Sequence, residues 1–475
     1  VMLSKIINPI LLLPLTILMT SQRAILSQSK NDVNVNLEKK EYQTFINYED
    51  ISEIISNNQE LKSLQELVTS SGFNLSSKIS KRYPTIDLQA NGLPKYVVGK
   101  NYNSNSQTTK TAQFSANPSL SIRWDLIDPL RGPEIKIARE NYKIARNNLE
   151  IKRKDLIQEA KARFHKYQKS YQDIENKKYA LELSSTSLDN AKSKLNAGIG
   201  TKFEVLEADA QLSRDKQSLN EKKIEHEINK ISLKEILDIK RNFEIKKEQK
   251  LIGFWDHKIS KNIEKGLSNN LSLKNLSLQK LIRERQADSY LNSNKPKIFI
   301  SNTFSSSFTK GDSLSFSLDS EEYGSAYNNT ISLNLSWNIF NGGQYKNSYK
   351  SSKAEALAEE YSYQNLKNIL NTNINKAYLN LKLNEKKILS TLKEISSTNE
   401  ALRLSRLRYD VGISTLKDVL TRQKDFSIAR EKNINAIYNY NLNLDELERL
   451  TFLEKNNNCL ENNNNTNEKI SICNI

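Results

Sequence analysis

Cysteine, histidine, glycine and proline are all scarce in this chain. Among its 475 residues are 2 cysteines, 3 histidines, 13 glycines and 8 prolines. Cys459 and Cys473 both fall in an Asn-rich C-terminal stretch, so no disulfide framework shapes the fold, whether or not the two pair. His165, His226 and His257 are far apart and lack metal-ligand spacing, which excludes a histidine metal motif and leaves them as helix-surface or interface residues. Few glycines and prolines mean few turns, which suits long helices. Only 37% of residues are hydrophobic and mean hydropathy is −0.65, which argues against a thick globular core. Beyond the N-terminal segment no apolar run approaches the roughly 18 residues of a membrane-spanning helix. A mature chain that crosses a membrane must therefore do so as a β-barrel. There is also no GxSxG, P-loop, dinucleotide fingerprint or HExxH arrangement, so neither an enzyme nor a cofactor or metal site is expected.

Net charge is +16, but the cations alternate with acids, as over 150–154 and 221–227. That pattern reads as solvated helix faces and not as a nucleic-acid patch. At the N-terminus Lys5 precedes an apolar run, Ile6 to Met19, followed by polar residues. This reads as a signal peptide over 1–27, with a polar linker over 28–45.

The remainder says the same thing twice. Gly412 follows Gly198 by 214 residues. Each lies after a seven-residue apolar ladder: Ala160, Tyr167, Ile174, Leu181, Leu188, Leu195, then Ile374, Leu381, Ile388, Ile395, Leu402, Tyr409. The offset preserves the phase, which predicts two halves that fold alike and helices that supercoil. Each half opens with short helices that stop at Pro84 or Pro296. Period-two runs follow. Ile86, Leu88 and Ala90 oppose Asp87, Gln89 and Asn91; Leu120, Ile122, Trp124 and Leu126 oppose Ser121, Arg123 and Asp125. In the second half Ile298, Ile300, Asn302 and Phe304 oppose Phe299, Ser301 and Thr303, and Ile331, Leu333, Leu335, Trp337 and Ile339 oppose Ser332, Asn334, Ser336 and Asn338. These are two β-hairpins with one apolar face, strands of about 10 residues, and polar loops near 99–112 and 309–326. Turns at Asp128 and at Asn341-Gly342-Gly343 lead into long helices of about 90 Å.

The expected organisation is a first repeat over 46–240 (hairpin 84–128, long helix 133–195, return helix 202–240) and a connector over 241–256. The second repeat covers 257–451 (hairpin 296–341, long helix 346–409, return helix 415–450), and a disordered tail 452–475. Four strands leave open edges in lipid, where each unpaired backbone group costs several kcal/mol, so membrane strands require several chains to share one barrel. Gly198 and Gly412 serve as helix C-caps, with Thr201 and Thr415 capping the next helices. If these turns ring an opening, Lys202, Glu204 and Asp209, or Lys417, Asp418, Arg422 and Asp425, are placed to control passage.

The ordered set of opening helix, Pro84 and Pro296, Trp124 with Asp128, Trp337 with Asn341-Gly342-Gly343, and the two glycine motifs resembles the TolC family of outer-membrane efflux proteins over about residues 44–452. Tyr409-Asp410-Val411-Gly412 with Thr415 to Leu420 is the most specific piece. The resemblance implies a homotrimeric α+β membrane protein. Each protomer gives four strands to a shared 12-stranded β-barrel, continued by a long α-helical coiled-coil barrel. It implies an outer-membrane location, passive export, and glycine tips that meet a membrane-fusion adaptor joined to an inner-membrane pump or type I secretion ATPase. It also implies a tip latch made of acids, an arginine and a tyrosine. Glu204 matches one acid and Tyr409 the tyrosine, while Ser414 stands in place of the arginine and Thr421 in place of a second acid. The latch is thus partly carried over: the tip closes through other contacts, involving Lys202 or Arg422, or closes more weakly. The competing expectation is an envelope-associated coiled-coil protein without a pore.

Overall fold

The computed structural model describes residues 44–102, 108–240, 243–246, 249–314 and 323–456. The expected signal peptide and Cys459 and Cys473 lie outside the described residues. Among the described residues eight helices dominate, with one two-stranded and one four-stranded sheet.

The chain opens with strand β1 (Thr44–Ile46), α1 (Ile51–Ile55) and α2 (Gln59–Ser80). A hairpin β2 (Thr85–Tyr102) and β3 (Thr108–Ile127) feeds α3 (Arg131–Asn196) and α4 (Lys202–Ile236). Strand β4 (Phe243–Ile245) precedes α5 (Ile259–Asn269) and α6 (Leu271–Asn292). The second hairpin, β5 (Lys297–Leu314) and β6 (Tyr323–Ser336), feeds α7 (Gln344–Asp410) and α8 (Leu416–Thr451). Helices α3 and α7 have 66 and 67 residues, about 100 Å each. α3 packs on α4, α7 on α8, and α3 also on α8. The seven-residue ladders are the seam: Ala160, Ile174, Leu188, Ile374, Leu381, Ile388 and Leu402 are all buried, whereas Leu195 is exposed at the tip.

Four strands form one antiparallel sheet in the order β2-β3-β5-β6. Register aligns Ile86, Ile122, Asn302 and Ile331 across it, and Leu88, Leu120, Phe304 and Asn329 on the next row of the same face. The other face carries Arg123, Ser301 and Ser332 in line, and Ser121, Thr303 and Thr330. The apolar face has no cover: Leu88 is 75% exposed, and Ile331 and Leu333 are 71% exposed. The edges are β2 and β6.

Several expectations are corrected. The strands have 14 to 20 residues, not about 10. Pairing continues into the stretches read as loops, from Tyr102↔Thr108 and from Lys310↔Tyr323, because Ser and Thr side chains do not interrupt a backbone ladder and β-branched ones favour it. Conversely, β6 stops at Ser336 although the alternation runs to Ile339. Its partner β5 begins after Pro296, which has no N–H to give. The linker ends and the connector contains a strand: β1 and β4 pair in parallel, with Ile46, Phe243 and Ile245 buried against Phe164 and Tyr167 of α3. The second repeat, expected to open at 257, begins its first helix at Ile259; in the connector before it, Trp255 is buried against α7 and α8 and Phe254 bridges to Asn456. The first return helix ends at Ile236, before Asp238 at φ 52°. The start of the expected disordered tail, 452–456, is held to the body.

Candidate functional site

The tip is built from two corners. At the first, α3 ends at Asn196 and Gly198 turns with φ 75°; at the second, α7 ends at Asp410 and Gly412 turns with φ 81°. The orphan carbonyls of Lys194 and Arg408 accept from the N–H groups of Ile199 and Ile413, at 3.0 and 2.8 Å. A Cβ at either glycine would meet nothing within 4 Å, so positive φ alone requires glycine there.

Each return helix then opens with a capping box. Glu204 N–H donates to Thr201 Oγ1 at 3.2 Å, and Thr201 N–H donates back to Glu204 Oε2 at 3.1 Å. At the other corner Asp418 N–H donates to Thr415 Oγ1 at 3.3 Å, and Thr415 N–H returns to Asp418 Oδ2 at 3.2 Å. Ser414, in the arginine's place, donates to Asp418 Oδ2 at 2.9 Å. The hydrogen bonds from the Thr415 hydroxyl and N–H, and then from Ser414, hold the Asp418 carboxyl below its ordinary pKa. Thr421 donates back to the Lys417 carbonyl at 2.8 Å, and Arg422 pairs with Asp425 on its own helix at 3.0 Å. Among the described residues neither Arg422 nor Lys202 links one corner to the other.

Lys194 makes that link. Its ammonium lies 3.7 Å from the Tyr409 ring centroid and donates to the Tyr409 carbonyl. Tyr409 is buried with Leu188, Ala191, Ala208, Leu416 and Val419, and its hydroxyl has no hydrogen-bond partner. Burial first, then the charges of Glu204 and Asp410, raise its pKa. Glu204 and Tyr409 are therefore neighbours without a hydrogen bond between them. Lys194 was legible only as the cation that Arg408 repeats 214 residues on. Around the corners Ile199, Phe203, Val411 and Ile413 are each at least 70% exposed, an apolar rim that motif reading also missed.

At the sheet end, Trp124 and Trp337 donate through their indole N–H to the carbonyls of Arg82 and Asn294, at 3.0 and 2.9 Å. Asp128 accepts from Leu130 N–H and pairs with Lys297. Asn341 accepts from Gln344 N–H, and Gly342 and Gly343 turn into α7 with φ 65° and 84°.

A second polar cluster lies midway along α3. His165, expected on a surface or at an interface, is 1% exposed, because α8 lies over it. Its Nε2 contacts Asp445 Oδ2 at 3.1 Å, and Nδ1 is unpartnered. Tyr48 donates to Asp445; Lys455 donates to the Tyr48 hydroxyl at 2.8 Å and lies 3.6 Å from Glu448. Lys161 reaches Asp445 at 3.7 Å and Glu448 at 3.5 Å. Burial pushes the Asp445 carboxyl up, but the His165 hydrogen bond and the lysine charges outweigh it, and its pKa is lowered.

The family model of outer membrane efflux proteins matches residues 51–237 and 262–451. No curated protein matches the chain. Among solved structures, the fold is similar to that of the CmeC outer membrane channel of Campylobacter jejuni. The TM-score is 0.69 at 15% identity, over 94% of this chain and 97% of that one. It is also similar to the outer membrane protein VceC of Vibrio cholerae, with TM-score 0.69, 13% identity, and coverage of 85% and 96%. For CusC the TM-score is 0.72 at 14% identity, over 86% of this chain and 93% of that one. At these identities the likeness shows the fold.

Proposed function

This chain belongs to the outer membrane efflux protein family, and from that premise we propose that it is the outer-membrane exit duct of an efflux pump or a type I secretion system. The observation that carries the reading is the uncovered apolar sheet face with an aromatic row at each end. Trp124 and Trp337 mark one end; Tyr96, its ring tilted 37° against that of Phe114 with centroids 4.6 Å apart, and Tyr323 mark the other. From Phe114 to Trp124 the strand rises about 33 Å, or about 25 Å after a tilt near 40°, which is the height of the lipid-facing band of an outer-membrane barrel. No described helix is long and apolar enough to cross a membrane, so the sheet would be the crossing element. Open edges at β2 and β6 favour closure with further copies, three giving the 12-stranded barrel. A pore-less coiled-coil scaffold gives no reason for a two-faced sheet exposed on its apolar side.

In this reading the helices extend into the periplasm and the corners at Gly198 and Gly412 form the entrance. The apolar rim of Ile199, Phe203, Val411 and Ile413 would meet a periplasmic adaptor that links the duct to an inner-membrane pump. Transport is passive, and the Lys194–Tyr409 contact supplies part of the closure that Ser414 and Thr421 cannot. Planar-bilayer conductance tests the reading. Discrete pores are expected, and protein that inserts as trimers without conducting would sink it.

A further inference from the structure

We propose that the cavity beneath the β3–β5 pair binds the phosphate headgroup of an anionic phospholipid in the periplasmic leaflet. The proposal rests on the membrane placement argued above. The cavity measures about 430 Å³ and lies between the start of α3, Gly132 to Lys136, and the end of α6 from Arg285 on. Gly132, Pro133, Lys136, Arg285, Leu291 and Lys295 line it, together with Asp288. Three cations thus face one acid, and that acid pairs with Arg285 at 3.2 Å. Lys136 and Lys295 have no ion-pair partner among the described residues. The neighbouring lysines of α2 differ: Lys78 and Lys81 are both taken by Glu134, at 3.2 and 2.7 Å.

The cavity sits at the depth of a headgroup. Trp337, on the apolar face at the inner end of the sheet, donates to the carbonyl of Asn294, the residue next to Lys295. An indole that bonds there lies at the boundary between apolar and wet surroundings. Leu291, 52% exposed, gives the rim an apolar wall on which glycerol and acyl carbons can rest. β3 and β5 are the inner strands of the sheet, so the cavity lies away from the edges where another copy would join. Two unpaired ammonium groups at a membrane surface attract anionic lipid and leave a zwitterionic one with less advantage.

Native mass spectrometry of the purified full-length protein tests this, with phosphatidylglycerol, phosphatidylethanolamine and inorganic phosphate as probes. The wild type is expected to retain phosphatidylglycerol in preference to phosphatidylethanolamine. Lys136→Ala with Lys295→Ala should weaken that retention on the order of tenfold, and Lys136→Arg with Lys295→Arg should restore it. Equal retention by the double alanine variant overturns the site. Displacement of the lipid by inorganic phosphate overturns the assignment to a lipid. Protein that conducts in bilayers but shows no preference for the anionic lipid overturns the site and leaves the channel reading standing. Protein that holds the lipid without conducting does the reverse.

Discussion

Midway along α3, Asp445 is reached by Tyr48, Lys161 and His165 from distant parts of the chain, and by Lys455 from just beyond its own helix. At the tip, Glu204 and Asp418 bond to residues three or four positions before them. The first arrangement ties the N-terminal segment, α3, α8 and the residues after α8 into one girdle. The second leaves each corner self-contained, joined to its partner through the hydrophobic seam and through Lys194. In the proposed duct, which would open at the corners, this asymmetry separates two parts: the girdle would fix where the helices cross, and the corners would rotate as intact pieces without breaking their own caps.

The girdle should show the largest effect when broken. Asp445→Ala leaves Lys161, Lys455 and Tyr48 facing an empty place, and removing one partner of a buried charge cluster costs about 3–5 kcal/mol. Denaturant unfolding of the detergent-solubilised protein measures it. A cost no larger than that of a surface substitution would show that the cluster does not hold the girdle. The same group gives a pH dependence. Its folded pKa is depressed, so its contribution is full above the ordinary aspartate value of 3.8 and is lost as pH falls through the lower folded value. Acid unfolding of Asp445→Asn should be flatter than that of the wild type in this range.

The corners come next. Alanine at Gly198 or at Gly412 must adopt positive φ, at about 1–2 kcal/mol each. Because open space surrounds both positions, the two costs should be equal and Asn should recover part of each. Unequal costs, measured by the same unfolding series, would mean that one corner is packed against something in the assembled protein.

Lys194 is the contact by which the corners can be told apart from two independent turns. A cation over an aromatic ring is worth roughly 0.5–2 kcal/mol. Lys194→Ala should therefore raise the open fraction in single-channel recordings by about tenfold, and Lys194→Arg should behave like the wild type. An unchanged open fraction would leave closure to the seam alone.

What the sequence shows of this comparison follows from range. Both corners were legible because caps are local: Gly198 and Thr201, and likewise Gly412 and Thr415, specify their own turn within four residues. The seam was legible because a seven-residue repeat is periodic. The strands were legible in phase but not in length, since alternation reports faces while pairing depends on the partner, as at Pro296 opposite the end of β6. The girdle was not legible. Tyr48 and Asp445 are 397 positions apart, and no spacing rule connects them. Nor does motif matching reveal Lys194, whose partner belongs to the other half.

Glu204 gives the smallest effect and the sharpest test of which kind of site the tip is. The family resemblance assigns it to a latch, for which its negative charge matters. The structure commits its carboxylate to the Thr201 N–H, for which an uncharged amide serves nearly as well, since Gln also completes a capping box. Glu204→Ala removes both roles, weakens the start of α4 by about 0.5–1 kcal/mol, and should raise the open fraction slightly. Glu204→Gln separates the roles. If the residue acts as a cap, Gln conducts like the wild type and Ala does not. If it acts as a latch, Gln opens as readily as Ala. The local geometry favours the first outcome, because Tyr409, the other latch residue matched here, has a hydroxyl with no partner although Glu204 is close enough to raise its pKa.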